Sequence, residues 1–403
     1  MSPTVRPDRL RILIGCDTFA PDVNGAARFT ERLAAGLVAR GHRVYIVAPA
    51  QRYRRRPPSD EVIEGAPMTV YRLPSVRWPP HDWLRFVWPW RAKYYSRRVL
   101  NSVRPDVVHI QSHIVIGRGL ARIARQRGIP IVATNHVMAE NILDFTVMPP
   151  FIDKLVLKLA WDDAERTFRM ARAVTTPTRR AADFLERTVD VQGVIPVSCG
   201  IERANYRPDP EQRDRSRVLF VGRLTSEKRV DVTLRAIARI IEEHRPAAGS
   251  PLDLHFDIVG GGDQRKPLEQ LVEKLGLQDR VTFLGRVDDP QLVELYSRAS
   301  VFVISSIAEL QSIATLEAMA SGLPIIAANA VALPHLVHHG ENGYLFEPDN
   351  DRELADAIVR VLAAPHEEWH RMQRASLDAV AAHDITRTLD TFEALYRGEP
   401  LPE

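Results

Sequence analysis

The chain has 403 residues, 45% of them hydrophobic, and 54 Lys and Arg against 51 Asp and Glu give a formal net charge of +3. That length predicts two domains, and the near-balance of charge argues against a nucleic-acid-binding protein. With only Cys16 and Cys199, neither a disulfide scaffold nor a zinc module is expected, and a reducing cytoplasm fits. No apolar run reaches the length of a membrane span, and the apolar start at residues 10–16 is too short for a signal peptide.

Residues 11–15 (RILIG) predict the first strand, followed by a loop over 17–25, a helix over about 26–40 and a second strand over 44–48. This is the opening of a parallel α/β sheet, whose ligands bind at the carboxyl ends of strands. Gly25, where the loop enters the helix, allows close approach of backbone to a phosphate or sugar; a plain turn glycine is the alternative.

Residues 51–100 break the rhythm. An arginine cluster, Arg52, Arg54, Arg55 and Arg56, precedes a run containing Trp78, Trp83, Trp88 and Trp90. Tryptophan interleaved with Arg and Lys is the composition of a membrane-interface surface. A helix packing its aromatics onto the sheet is the alternative. Stacking on single-stranded nucleic acid suits the same composition but not the balanced net charge.

Strands are expected over 106–110 and 129–134, with a helix over 117–127 between them. His136 then falls at a strand's carboxyl end, where a pocket residue belongs; a purely structural histidine is the alternative. His109 and His113 lack a further ligand at metal-binding spacing. Residues 140–170 read as a loop and a long amphipathic helix, residues 174–177 and 194–197 as short strands, and 201–215 as an interdomain linker rich in Pro, Arg and Asp.

A second βα series begins with a strand over 217–221, ending in Gly222-Arg223-Leu224-Thr225-Ser226-Glu227-Lys228-Arg229. Arg223 and Lys228 lie between a strand end and a helix start, where Arg can clamp a pyrophosphate bidentately and Lys as a point charge. A solvated charged loop is the alternative. Gly260-Gly261-Gly262-Asp263 follows the strand over 254–259 and is a weak dinucleotide fingerprint, since Arg265 occupies the third glycine's place. A strand over 281–284 leads into Gly285-Arg286-Val287-Asp288.

The most informative stretch is 305–322, SSIAELQSIATLEAMASG. An apolar strand over 301–304 precedes it, and a helix over 313–320 follows, capped by Ser312 and ended by Gly322 and Pro324. A strand feeding a helix N-terminus offers backbone N–H groups to an anion. Glu309 and Glu317 suit hydroxyls instead, because an ionised carboxylate only accepts and a vicinal diol donates in pairs. Eight positions span about 12 Å along a helix, which suits two ends of one extended ligand. Ordinary solvated glutamates are the alternative. Residues 324–327 read as a strand, 335–344 as a helix end with a turn, and the remainder as helical, ending over 385–397.

With these segments in place, the chain resembles the retaining nucleotide-sugar glycosyltransferases of family 4. The resemblance rests on DTFAPDVNGAARF, VGRLTSEKRV, DIVGGGDQRKPLEQL, VTFLGRV, ELQSIATLEAMASGLPII and HHGENGYLFEPDN. It implies the GT-B architecture: two Rossmann-like doubly wound domains, residues 1–198 and 199–382, facing across a cleft, with a C-terminal helix within 383–403 crossing back to the first. It also implies site roles. Gly25 admits the donor phosphate and sugar, and His136 lies by the sugar's C6 side and the reaction centre. Arg223 and Lys228 hold the pyrophosphate and stabilise the leaving group. Glu309 binds sugar hydroxyls, and backbone N–H groups of Gln311, Ser312 and Ile313 meet sugar or phosphate. Glu317 binds the ribose diol, and the backbone near Arg286 and Val287 holds the base. No metal or other cofactor is implied, because the Arg/Lys pair does a cation's work.

Two departures stand out. Ser312 replaces the family's usual glycine and narrows the loop, and Leu310 replaces a small residue. Gln111-Ser112-His113, residues 134–141 and the 309–322 variant look most like members that glycosylate lipids, such as the phosphatidylinositol mannosyltransferases and the diacylglycerol glycolipid glycosyltransferases. The expectation is therefore retaining transfer of a hexose to a hydroxyl of a membrane glycolipid or lipid-linked acceptor, with GDP-mannose favoured over UDP-glucose or UDP-galactose. The enzyme would be cytoplasmic and peripheral on the inner face of the plasma membrane, through the Trp78 to Trp90 segment. A soluble acceptor, an epimerase or hydrolase on the same fold, and a non-catalytic binding module are the alternatives.

Overall fold

Four-residue apolar runs buried at every position belong to strands covered on both faces. The computed structural model, which describes residues 8–22, 24–53, 56–77, 85–136, 150–208, 216–243 and 254–402, uses such runs as the central strands of two sheets. The chain divides into two units, Met1–Ser198 with Thr386–Glu403, and Cys199–Ile385.

In the first unit, strand β1 (Arg11–Gly15) leads through a loop to helix α1 (Gly25–Ala39) and β2 (Arg43–Pro49). Next come β3 (Ser59–Ile63), β4 (Ala66–Leu73), the two-residue strands β5 (Val76–Arg77) and β6 (Arg85–Phe86), and α2 (Pro89–Val103). The alternation continues through β7 (Val107–Ile110), α3 (Ile116–Gln126), β8 (Ile131–Thr134), α4 (Pro150–Phe168), β9 (Ala173–Thr176), α5 (Arg179–Thr188) and β10 (Ile195–Pro196). The main sheet runs β10-β9-β8-β7-β1-β2-β4-β3. All its pairings are parallel except β3 with β4.

That hairpin was not expected within 51–100. It turns at Glu64 and Gly65, with φ of 47° and 74°, the left-handed pair that a tight hairpin turn requires. β3 is a largely exposed edge strand with Asp60 and Glu61, so it carries no apolar signal. Helix α5, capped by the Thr178 side chain, was likewise not anticipated.

The second unit contains β11 (Arg217–Val221), α6 (Val230–Glu243), β12 (His255–Val259), α7 (Arg265–Leu275), β13 (Val281–Gly285), α8 (Asp289–Arg298), β14 (Val301–Ile304), α9 (Ile313–Ala320), β15 (Ile325–Ala328), β16 (Gly343–Phe346), α10 (Asp351–Leu362) and α11 (His366–Ala381). Its sheet is entirely parallel and runs β13-β12-β11-β14-β15-β16. Numbered within the unit this is 3-2-1-4-5-6, the order of a dinucleotide-binding fold.

Two expectations are corrected here. Residues 335–344 are not a helix end: a 3-10 turn covers Leu333–His335, and the chain then enters β16. The stretch read as a linker is only partly one. Ile201 and Tyr206 are buried in the second unit's core, and Ile201 bridges Asp384, while residues 209–215 lie outside the described residues.

The last helix, α12 (Ile385–Arg397), packs within the first unit. Leu389 lies over Gly36 of α1, where an added Cβ would come within 2.7 Å of its Cδ1. Arg40 pairs with Asp390 at 2.6 Å and Glu393 at 3.2 Å, and Phe392 is fully buried. Among the described residues no helix is long and apolar enough to cross a membrane.

Candidate active site

The 3-2-1-4-5-6 order makes β11 and β14 neighbours whose following helices lie on opposite faces of the sheet. A crevice opens at their carboxyl ends, where ligands of such sheets bind. Two loops meet there. The Ser305 hydroxyl, just after β14, donates to the Arg229 carbonyl at 2.8 Å, and the Ile307 N–H donates to the Glu227 carbonyl at 3.0 Å. Arg229 ends the 3-10 turn Ser226–Lys228 in the left-handed region, φ 49°.

These ties bring Lys228 against Glu309, whose carboxylate accepts from the ammonium. Arg223 lies on the same loop, its guanidinium 3.8 Å from Glu227. Burial lowers the Arg223 pKa, opposed by Glu227, Glu309 and Asp263; arginine starts so high that it remains a cation. Glu309 and Glu317 are 9% and 5% exposed, so neither is the ordinary solvated glutamate that stood as the alternative.

Glu317 lies within α9 and accepts from the Tyr296 hydroxyl of α8 at 3.1 Å. Ser312 caps α9, its hydroxyl accepting from the Thr315 N–H at 3.2 Å. The side chain that departs from the family's glycine thus folds back on its own helix. Ile313 begins the helix, where first-turn N–H groups suit an anion. Gln311 does something the sequence did not suggest: its side-chain oxygen accepts from the Cys199 N–H at 2.7 Å.

The glycine run has a packing reason. Leu224 N–H donates to the Gly261 carbonyl and Gly222 N–H to the Val259 carbonyl, both at 3.0 Å. Backbone therefore lies on backbone. A Cβ at Gly260, φ 128°, would meet the Gly222 oxygen at 1.9 Å, and one at Gly262 the Leu224 oxygen at 2.1 Å. The run thus supports the loop that carries Arg223. Arg286 and Val287 lie beyond β13, the edge strand, where Arg286 is exposed and Val287 half-buried.

In the first unit the equivalent crevice lies between β1 and β7. A small cavity of about 40 Å³ there is lined by Asp17, Ala26, Gln111, Ser112 and His136 among others. Asp17, which sequence reading passed over, accepts from the Ser112 hydroxyl and from the N–H groups of Val115 (3.3 Å) and Ile116 (2.9 Å). An internal carboxylate thus occupies the N-terminus of α3, the position a phosphate would otherwise take. Burial raises the Asp17 pKa, and these hydrogen bonds pull the other way. A carboxylate two residues after the first strand was the available signal.

His136 lines this cavity, hydrogen-bonded through Nε2 to the Gln111 side-chain oxygen at 2.8 Å and packed on Phe29 at 4.8 Å. Burial lowers its pKa to about 3, so the ring is neutral at pH 7. Gly25 is the first residue of α1, one position after the Asn24 cap, and precedes Ala26 at the cavity wall. Sequence-chosen residues therefore divide between the units: in the second, Lys228 meets Glu309 with Arg223 beside them, Gln311 to Ile313 lead into α9, Glu317 lies one turn along it and Arg286 and Val287 lie beyond β13; in the first, Gly25 and His136 lie near one cavity.

The segment read as a membrane surface is partly visible. Trp78, Trp83, Arg54 and Arg55 lie outside the described residues, as do residues 137–149. Helix α2 buries Ala92, Ser96, Val99, Leu100 and Val103 and leaves Trp90 and Tyr94 exposed by 66% and 52%. Trp88 stacks on Trp90 at 5.0 Å. Trp90 and Tyr94 do not pack down onto the sheet, whereas Phe86 and Tyr95 pack against the first unit's core, and Lys93, Arg97 and Arg98 are exposed on α2.

Comparison with known proteins adds identity to this geometry. Residues 23–205 match the model described as Glycosyltransferase Family 4, and residues 202–377 match Glycosyl transferases group 1. The chain is 28% identical to a GDP-mannose-dependent alpha-mannosyltransferase of Mycolicibacterium smegmatis, covering 91% of this chain and 92% of that protein. It is 25% identical to an alpha-monoglucosyldiacylglycerol synthase of Streptococcus pneumoniae, covering 95% and 85%. The fold superposes on a sucrose-phosphate synthase of Thermosynechococcus elongatus with a TM-score of 0.80 at 21% identity, covering 97% and 99%. With two doubly wound units of GT-B type and family models spanning residues 23 to 377, the chain belongs to the family 4 glycosyltransferases.

Proposed function

We propose that the chain transfers a hexose, with mannose from GDP-mannose favoured, to a hydroxyl of a membrane glycolipid or lipid-linked acceptor, with retention at the anomeric carbon. The observation that carries this reading is the cluster of Arg223, Lys228 and Glu309 at the β11/β14 crevice. Two cations beside buried carboxylates suit a diphosphate flanked by polyols. In the proposed reaction Arg223 and Lys228 take up negative charge as the nucleoside diphosphate leaves. Glu309 holds the sugar hydroxyls, Glu317 the ribose diol, and the backbone near Arg286 and Val287 the base. The N–H groups of Gln311, Ser312 and Ile313 meet sugar or phosphate, and Gly25 and His136 take the sugar-side roles that the resemblance implies. The acceptor hydroxyl attacks from the face the leaving group departs. Two fixed cations already supply the charge compensation, so no metal is assigned to the diphosphate.

The lipid acceptor is supported by the similarity to an alpha-monoglucosyldiacylglycerol synthase and by the exposed aromatics of α2 among basic residues. In this reading Trp90 and Tyr94 enter the headgroup boundary while Lys93, Arg97 and Arg98 meet anionic lipid, on the cytoplasmic face. A UDP-glucose or UDP-galactose donor is the competing choice.

The test is turnover of a panel of GDP- and UDP-hexoses with and without lipid acceptors in vesicles, with product anomer read by NMR. Transfer to lipid with retention is expected. Water as the sole acceptor, or an inverted product, would sink the proposal. Trp90→Ala/Tyr94→Ala is expected to lose flotation with anionic vesicles while keeping hydrolysis of the soluble donor.

A further inference from the structure

Beneath His136 lies a chain of buried polar groups whose proton positions follow from one another. His109 is fully buried. Its Nδ1 lies 2.7 Å from the Tyr396 hydroxyl on α12, and its Nε2 lies 2.7 Å from the Thr134 hydroxyl. Thr134 is 2.7 Å from Thr175, and Thr175 donates to the Ala133 carbonyl at 3.4 Å. A hydroxyl has one proton to donate. With Thr175 donating to Ala133, Thr134 donates to Thr175 and accepts from His109 Nε2–H. His109 Nδ1 then accepts from Tyr396.

Gln111 sits between the two histidines. Its amide nitrogen is 3.4 Å from both ring nitrogens of His109, and two equal distances put it over the ring face rather than in its plane. An N–H donor suits that electron-rich face. The amide oxygen is therefore the atom turned to His136 Nε2, and an oxygen only accepts. Phe392 packs 5.0 Å from His109 and 5.9 Å from Phe29, the ring on which His136 rests, so α12 backs the assembly.

We propose that Gln111 is a positioning residue that holds His136 as its Nε2–H tautomer, leaving Nδ1 as an unprotonated acceptor. A ligand group meeting His136 through Nδ1 must then be a donor. That means a hydroxyl of the sugar or acceptor; a phosphate oxygen would be repelled. The ligand part of this inference rests on the proposed function, whereas the tautomer does not.

The experiment uses the full chain labelled with 15N-histidine and long-range 1H–15N spectra at pH 7, with the His136 signal assigned by its loss in His136→Asn. Wild type is expected to show a protonated Nε2 and a bare Nδ1. Gln111→Leu is expected to give a mixture of tautomers and to lower kcat at least ~10-fold with KM within ~3-fold, the signature of a lost transition-state interaction. Gln111→Glu has the same shape and covers the case that the leucine variant does not fold. Its carboxylate also only accepts, so it is expected to keep the Nε2–H while moving the acid midpoint of the His136 signal up by about 1–3 pH units. A bare Nε2 in wild type would overturn the proposal, and so would a His136 signal unchanged in both variants. If the spectra hold but the parent turns over no nucleotide sugar, only the functional reading fails.

Discussion

Lys228 and Glu309, 81 residues apart in sequence, form an ion pair that joins the loops after β11 and β14. Their side chains are 14% and 11% exposed, so each charge depends on the other more than a surface pair would. Removing one partner strands the other. Lys228→Ala is expected to cost about 3 kcal/mol of stability, and Glu309→Gln less, since an amide remains. The double variant Lys228→Met/Glu309→Leu should recover most of that stability yet stay inactive, with kcat lowered ~100-fold or more as for either single variant. Urea unfolding and donor turnover on the same preparations separate the two effects.

Tyr296 reaches the Glu317 carboxylate from a neighbouring helix. If Glu317 grips a diol, Tyr296 fixes its orientation before the ligand arrives. Tyr296→Phe deletes one hydrogen bond worth about 1 kcal/mol. Donor KM should rise about fivefold with kcat nearly unchanged, the pattern of lost uniform binding. Steady-state kinetics over a donor titration checks this.

The three consecutive glycines should behave differently. Gly260→Ala and Gly262→Ala drive a Cβ into backbone oxygen and are expected to cost at least ~2 kcal/mol. Gly261 has open space around its Cα, so Gly261→Ala should stay within ~0.5 kcal/mol of the parent. Thermal unfolding of the three variants is the measurement.

Buried histidines make stability pH-dependent. Burial lowers His109 and His136 to about 3 and His113 to about 4. Unfolded histidine protonates near 6.5. Between about pH 6.5 and 4 the unfolded chain holds protons that the folded chain refuses, so stability falls as pH falls through that window. Glu31, raised to about 7 by burial, acts in the opposite sense: its stabilisation is present on the acid side and is lost as pH rises through 7. His113 packs beside Trp161 and Phe168. His113→Phe should therefore flatten the dependence by about 1.4 kcal/mol per pH unit, one proton's worth. Urea midpoints from pH 7.5 to 5 test it.

Much of the fold was written locally. The strands at 11–15, 217–221 and 301–304 and the helix at 313–320 with its Ser312 cap emerge at the residues their apolar runs and caps predict. Periodicity and capping are properties of neighbours in the chain, and a single sequence carries them in full. The edge strands β3 and β16 escaped because one is charged and the other follows a turn that resembles a helix end. What only tertiary structure decided is which distant groups meet. Glu309 finds Lys228, Glu317 finds Tyr296, Asp17 fills the end of α3, and Gln111 lies between two histidines with a tyrosine from the last helix below. Each pairing joins residues that no local pattern relates, because sheet order and not sequence spacing sets their separation.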